Sequence, residues 1–129
     1  MNTKLNSLIL SLALLAGCQT VPTNPEYWVE KEANACLPTA ILFKQSLTKY
    51  GVWSRVLTTS YIDMRDQKKH GHALVAYLYP AGKNMLWTYD AEGSYQVRAY
   101  KDNPSEVAKK AFESRGQSRT LLTATYLED

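Results

Sequence analysis

The chain has 129 residues, with 15 Lys or Arg against 12 Asp or Glu, so the formal net charge is +3. This length fits one small domain and excludes a two-domain enzyme or a repeat array. A hydrophobic content of 45% excludes a disordered chain, and the small basic excess argues against a nucleic-acid partner. Two cysteines are too few for a disulfide scaffold or a four-ligand zinc site.

The first 17 residues have the pattern of an export signal. Lys4 precedes an apolar run over residues 8–15, which is too short to span a bilayer permanently. The ending Leu-Ala-Gly-Cys resembles a bacterial lipobox, in which Cys18 would receive a diacylglycerol after cleavage before it. An ordinary secretory signal with an incidental Cys18 is the alternative. The resemblance implies a lipid anchor at Cys18 and, because Gln19 follows rather than Asp, an outer membrane location facing the periplasm.

The composition changes after the signal and divides the chain into three parts. We assign residues 1–17 to a signal peptide. The polar residues 18–26, with two prolines, predict an extended tether. Residues 27–129 are about a hundred in number, which is enough for one modest hydrophobic core.

Cys36 is the cysteine that lipidation would leave free, and it is either a buried hydrophobe or a reactive thiol. Residues 36–50 predict a helix ended by Gly51, with a buried stripe of Cys36, Ala40, Phe43, Leu47 and Tyr50. Because Pro38 is tolerated only in a first turn, the helix is expected to begin near residue 36, with Asn34 as its cap. The dipole at that end would favour a thiolate.

Residues 72–90 predict a hairpin that brings a histidine and an aspartate together. If this hairpin is centred on Ala81, His72 lies opposite Asp90, with Cβ atoms about 5 Å apart. A one-residue slip would place Asp90 on the other face. Each residue alone has an ordinary structural explanation, a strand-end hydrogen bond for His72 and a turn for Asp90. Together with Cys36 they make a nucleophile, a base and an orienting group.

The other predicted elements complete a small α+β domain. They are strands over residues 52–61, 95–100 and 119–126, a charged loop over 62–70, and a helix over 104–115 that follows an Asn103 and Glu106 capping box.

Two segments resemble a known family. Ala-Asn-Ala-Cys36-Leu-Pro-Thr-Ala, which runs on to Lys-Tyr-Gly51, is similar to the start and end of the catalytic helix in double-glycine-leader peptidases. Gly-His72-Ala-Leu-Val-Ala-Tyr and Leu-Trp-Thr-Tyr-Asp90-Ala-Glu-Gly resemble their histidine and aspartate strands. The order Cys, His, Asp also resembles transglutaminase-like cysteine proteinases. Over residues 33–97, the resemblance implies a papain-like fold, with an N-terminal helix carrying Cys packed on a small antiparallel sheet carrying His and Asp.

The resemblance also implies roles for individual residues. Cys36 would be the nucleophile, His72 the general base and Asp90 the group that orients His72.

The oxyanion hole departs from the family pattern. Glu30 takes the place of a glutamine six residues before the cysteine, and an ionised carboxylate cannot donate a hydrogen bond. We expect Glu30 to point away, and the side chain of Asn34 or Trp28 to donate together with the backbone N–H of Cys36.

The implied function is a lipid-anchored cell-envelope cysteine peptidase or amidase that needs no cofactor and acts on peptide or peptidoglycan-derived substrates. A transglutaminase-like acyltransferase, an inactive papain-like binding lipoprotein and a structural component with Cys36 buried are the alternatives. His70 and His72 could hold a metal with Asp63 or Asp66, but fixed zinc-ligand spacing is missing, so no metal is expected.

Overall fold

The computed structural model describes residues 24–80, 83 and 85–128. This part of the chain is α+β, with two helices and one antiparallel sheet of five strands. The elements in chain order are α1 (Pro25–Lys49), β1 (Ser54–Asp63), β2 (Lys68–Leu78), β3 (Leu86–Asp90), β4 (Gly93–Val97), α2 (Pro104–Ser114) and β5 (Arg119–Tyr126). The predicted signal peptide and residues 18–23 of the predicted tether lie outside the described residues.

The strand order in the sheet is β4-β3-β2-β1-β5, with every neighbouring pair antiparallel. Strands β1 to β4 follow one another as hairpins, and α2 carries the chain back so that β5 pairs with β1. The predicted charged loop over 62–70 is wrong, because β1 and β2 extend into it and leave only a tight turn over residues 64–67. This arrangement makes β2 the middle strand.

The two faces of the sheet are covered by different helices. On one face α1 packs over a core of Ala40, Val56, Ala73, Val75 and Tyr77. On the other face α2 packs over a core of Leu57, Leu74, Ala76, Leu86, Val97, Val107, Ala108 and Ala111. Successive residues of a strand point to opposite faces, so a strand covered on both sides is apolar throughout. This is why polar and apolar residues do not alternate over residues 73–77 of β2.

Helix α1 is longer than predicted, and the expected start near residue 36 with Asn34 as cap is wrong. The helix begins at Pro25, where the Asn24 side chain accepts a hydrogen bond from the Glu26 backbone N–H at 3.0 Å. Pro38 lies inside the helix and removes the hydrogen bond that the Asn34 carbonyl would receive. Because Val29 and Ala40 are buried on either side of this proline, packing on the sheet carries the helix through it.

The backbone of α1 comes very close to the sheet at Gly71 of β2. A Cβ atom on Gly71 would lie 2.0 Å from the Val29 carbonyl oxygen and 3.2 Å from the Ala33 methyl group. The obstructing oxygen belongs to the helix backbone, so only a residue without a side chain permits this contact. The absence of a side chain at Gly71 therefore sets the distance between α1 and β2.

We predict that Gly71→Ala lowers the free energy of unfolding by about 1–3 kcal/mol, because the added methyl group forces α1 away from the sheet. Urea denaturation measures the change. The sign of the change in unfolding free energy tests the contact, because a Gly→Ala replacement at an unobstructed position usually stabilises a protein by about 0.4–1 kcal/mol. A stabilised variant would contradict the close contact.

Candidate active site

The candidate site lies where α1 passes the end of β2 that β3 does not reach. Strand β3 pairs with β2 only from Val75 to Leu78, so His72 lies beyond the paired stretch. The Cys36 Sγ is 3.1 Å from His72 Nδ1, and His72 Nε2 is 2.9 Å from Asp90 Oδ2. The structure thus brings the three predicted residues together, with the imidazole between the thiol and the carboxylate.

The centre of the hairpin lies one residue later in the chain than predicted. Val75 pairs with Tyr89 and Leu78 with Leu86, which centres the hairpin on residue 82. In this register Asp90 is diagonal to His72 and not directly opposite. The pairing shifts by two residues, which is an even number, so the His72 and Asp90 side chains remain on the same face of the sheet. Diagonal neighbours are about 7–8 Å apart, a gap that an imidazole and a carboxylate can bridge.

Asp90 is held ionised although it is buried. Its side chain is 5% exposed, and burial raises the pKa of the carboxyl. Hydrogen bonding to His72, the nearby Arg115 guanidinium and the Glu92 backbone N–H outweigh that effect, so the pKa lies below its ordinary value. An ionised Asp90 accepts from His72 Nε2–H, which leaves the Nδ1 lone pair directed at the thiol.

Arg115 supports this carboxylate, and no sequence pattern singled it out. Its side chain is 3% exposed, and its Nε lies 3.3 Å from Asp90 Oδ2. The guanidinium also donates to the Thr88 side chain at 2.8 Å and to the Thr88 and Gly93 carbonyls, and it packs on the Tyr95 ring. A basic residue just after a helix is ordinarily explained by the helix dipole. Only the tertiary structure turns Arg115 inward.

His70 has partners of its own beside the site. Its Nδ1 is 2.8 Å from Glu32 Oε2, and its Nε2 is 2.7 Å from Asp66 Oδ2. Asp63, the other carboxylate considered beside the two histidines, bonds instead to Arg65. Within the described ranges, no three His, Cys, Asp or Glu side chains are grouped to hold a metal ion.

The longer helix changes what can stabilise an oxyanion at Cys36. Cys36 lies well inside α1, so its backbone N–H is used in the helix and is not at a helix N-terminus. The predicted dipole stabilisation of a thiolate and the expected contribution of this N–H are therefore wrong.

The three candidate oxyanion-hole side chains lie away from Cys36. At about 100° per residue, Glu30 and Asn34 are turned about 120° and 160° from Cys36 around the helix, and both are exposed. Trp28 is on a nearer side but about 12 Å closer to the N-terminus of the helix. Glu30 points away as expected, whereas Asn34 does not take its place.

A cavity of about 580 Å³ begins one helical turn before Cys36. Trp28 and Ile62 form its apolar wall, and Glu32, Lys68 and His70 are among its polar lining residues. Cys36 and His72 are not among the residues that line this cavity.

Comparison with known proteins gives no information about this site. No family model, curated protein or solved structure matches the chain. In the part of the chain that the structure describes, no helix has the length and hydropathy needed to cross a membrane.

We predict that Arg115→Ala lowers the free energy of unfolding by about 3 kcal/mol, because it leaves the buried Asp90 carboxylate without its cationic neighbour. The matched control is Arg98→Ala, which removes an exposed arginine and is expected to change stability by less than about 0.5 kcal/mol. Chemical denaturation of both variants checks this. Equal effects of the two substitutions would contradict the structural role of Arg115.

Proposed function

We propose that this protein is a papain-like thiol hydrolase, a cysteine peptidase or amidase, that acts on peptide or amide carbonyls. The observation that carries the proposal is the continuous contact from Cys36 Sγ through the His72 imidazole to the buried Asp90 carboxylate. This imidazole has a nucleophile on one nitrogen and a carboxylate on the other, which is the order of nucleophile, base and orienting group.

The arrangement accounts for each proton transfer in such a reaction. His72 Nδ1 accepts the thiol proton, and Sγ attacks the carbonyl carbon to form a tetrahedral intermediate. The imidazolium then returns the proton to the leaving amine, which gives an acyl-Cys36 intermediate. His72 next deprotonates a water molecule, or an amine in a transglutaminase-like acyl transfer, and that nucleophile releases the acyl group. Asp90 fixes the imidazole orientation and stabilises its cation throughout.

One feature of the site limits the rate of this chemistry. With the Cys36 N–H used inside α1, the oxyanion lacks the backbone donor that was expected in place of the family's glutamine. Loss of one such donor typically costs about 10²–10³ in rate. Activated acyl donors such as esters and thioesters are therefore expected to react faster than unstrained amides.

The same feature favours a second candidate function. A papain-like protein that has lost catalysis and acts as a binding or structural lipoprotein would tolerate a mid-helix cysteine, because it has no oxyanion to stabilise. The two functions differ in whether His72 accelerates the chemistry of Cys36.

We further propose that the protein is anchored in the bacterial outer membrane through lipidated Cys18. This residue lies outside the described part of the chain, and the lipobox-like ending Leu-Ala-Gly-Cys supports the proposal. A protein facing the periplasm would meet peptidoglycan stem peptides and exported peptides, which are the substrates that fit a peptide-directed thiol.

We predict that p-nitrophenyl acetate acylates Cys36 in a reaction that depends on His72. His72→Ala should slow acylation by about 10²–10⁴, because the general base is lost, and Cys36→Ser should abolish it. Peptide mass spectrometry locates the acyl group, and nitrophenolate release gives the rate.

The matched control for Asp90→Asn is Asp102→Asn, which alters an exposed aspartate that pairs only with Lys101 among the described side chains. Asp90→Asn should slow acylation and Asp102→Asn should leave the rate unchanged. Acylation that is no faster than that of a free thiol and indifferent to His72→Ala would favour the binding or structural function.

We predict that mass spectrometry of the membrane fraction finds the mature N-terminus at Cys18 with attached acyl chains. Cys18→Ser should leave the precursor unprocessed, because the lipidation step requires the thiol. Cleavage at another residue would contradict the lipid anchor.

A further inference from the structure

His70 connects three parts of the fold beside the proposed site. From β2 its Nδ1 contacts Glu32 of α1 at 2.8 Å, and its Nε2 contacts Asp66 of the β1–β2 turn at 2.7 Å. The ring is also stacked on Tyr61 of β1, with centroids 5.7 Å apart. The His70 side chain is 24% exposed, and its contact with Glu32 is partly buried whereas its contact with Asp66 is exposed.

The contact between His70 and Glu32 is adjacent to the contact between His72 and Cys36. Glu32 precedes Cys36 by one helical turn, about 6 Å along the helix axis. His70 precedes His72 by two strand residues, about 6.7 Å. The two spacings agree, so the contacts form successive connections between α1 and β2. Gly71, where α1 touches the sheet, lies between the two histidines.

The contact geometry of His70 requires protons on both ring nitrogens. A neutral imidazole donates one hydrogen bond, whereas the imidazolium donates two. With a carboxylate on each nitrogen, only the imidazolium satisfies both partners. A neutral ring would leave one nitrogen lone pair facing an oxygen lone pair.

We propose that His70 is a positioning residue for the thiol chemistry, which in its doubly protonated form ties Glu32 and Asp66 to β2 and so holds Cys36 within reach of His72. This inference rests on the proposed function, because the site that it regulates is the same one. Loss of the second proton releases one of the two carboxylates and loosens the helix one turn before the nucleophile.

The surroundings of His70 determine the direction of the pH dependence. Burial lowers the pKa of His70, but hydrogen bonds and charge attraction from Glu32 and Asp66 outweigh it and raise the pKa above the ordinary value. The other titratable or charged groups around the ring are Tyr61 with Arg119 over it, Lys68 and Lys69 with Glu26, Asp63 with Arg65, and Cys36 with His72.

A raised pKa means that the connection is complete below the ordinary histidine value, about 6.5, and is lost as pH rises through the higher folded value. A free thiol changes in the opposite direction, since its reactivity increases with pH as thiolate forms. The His72-dependent part of Cys36 reactivity is therefore expected to decrease on the alkaline side.

The test measures Cys36 alkylation by iodoacetamide from pH 5.5 to 9, together with NMR titration of both imidazoles, in the full chain. The ratio of the wild-type alkylation rate to the rate of His72→Ala should fall about tenfold as pH rises through the pKa of His70. If the thiol is displaced by 1 Å, this ratio should fall by up to about 10². The His72 ring signals should show an inflection at that same pH.

Two variants identify His70 as the origin of this inflection. His70→Gln should abolish it, and Glu32→Gln should move it to lower pH because the carboxylate charge that raises the pKa is gone. The control Glu113→Gln alters a glutamate on the surface of α2, which pairs with Lys110, and should retain the wild-type profile. If thermal unfolding shows that Glu32→Gln is not folded, Asp66→Asn tests the same connection from the turn.

The outcomes separate this inference from the proposed function. If His72→Ala slows alkylation but His70→Gln keeps the wild-type pH profile, the positioning role is overturned and the proposed function stands. If His72→Ala has no effect at any pH, the proposed function fails, and the NMR titration decides the positioning role. A His72 inflection that His70→Gln removes supports that role, and its absence from the wild type overturns it.

Discussion

The contact between the α1 backbone and β2 at Gly71 is the constraint on which the site depends. A helix normally packs on a sheet through side chains on both surfaces, but here the Val29 carbonyl occupies the space of a missing Cβ. This close approach brings Glu32 and Cys36, one turn apart on α1, to His70 and His72, which flank the glycine. Interiors are close-packed, so a methyl group at this point would push α1 away from β2 beside the Glu32 and Cys36 contacts.

The second requirement is a buried carboxylate that stays charged. Taking Asp90 out of water costs free energy that a single hydrogen bond to His72 does not offset. The backbone N–H of Glu92 and the imidazole each donate a hydrogen bond to one of its oxygens, and the Arg115 guanidinium adds a positive charge 3.3 Å away. Because Arg115 also holds the Thr88 and Gly93 carbonyls, the β3–β4 turn and the end of α2 are fixed to the same charge. The orientation of the imidazole therefore depends on packing between α2 and the sheet.

The position of Cys36 along α1 differs from the position that the sequence predicted. The thiol, imidazole and carboxylate are in contact, yet the nucleophile is in the middle of a helix whose backbone donors are already bonded. Such a site is equipped to activate a thiol but poorly equipped to stabilise an oxyanion. Chemistry that begins from an activated acyl group fits this combination better than hydrolysis of an unactivated amide.

Local patterns were sufficient to predict most of the secondary structure. The last strand was predicted with the bounds 119–126 found in the structure, and the second helix differs by one residue at its end. The Asn103 cap is present, although the Glu106 side chain accepts from Tyr100 and not from the cap. These elements are set by turn residues, caps and apolar periodicity, all of which act over a few residues.

The sequence by itself determined the α+β class, the hairpin and the closeness of His72 and Asp90, because a period of two keeps these two side chains on one face even when the register shifts by two residues. The helix N-terminus expected at Cys36 was wrong, and the tertiary structure brings its thiol to His72 from the middle of α1. Only the tertiary structure decided where α1 begins, since Pro38 disfavours a helix locally and burial of Val29 and Ala40 overrides that preference. It also decided that Arg115 turns inward and that His70 meets two carboxylates. The contacts of Arg115 with Asp90 and of His70 with Glu32 join residues far apart in the chain, and no local spacing encodes them.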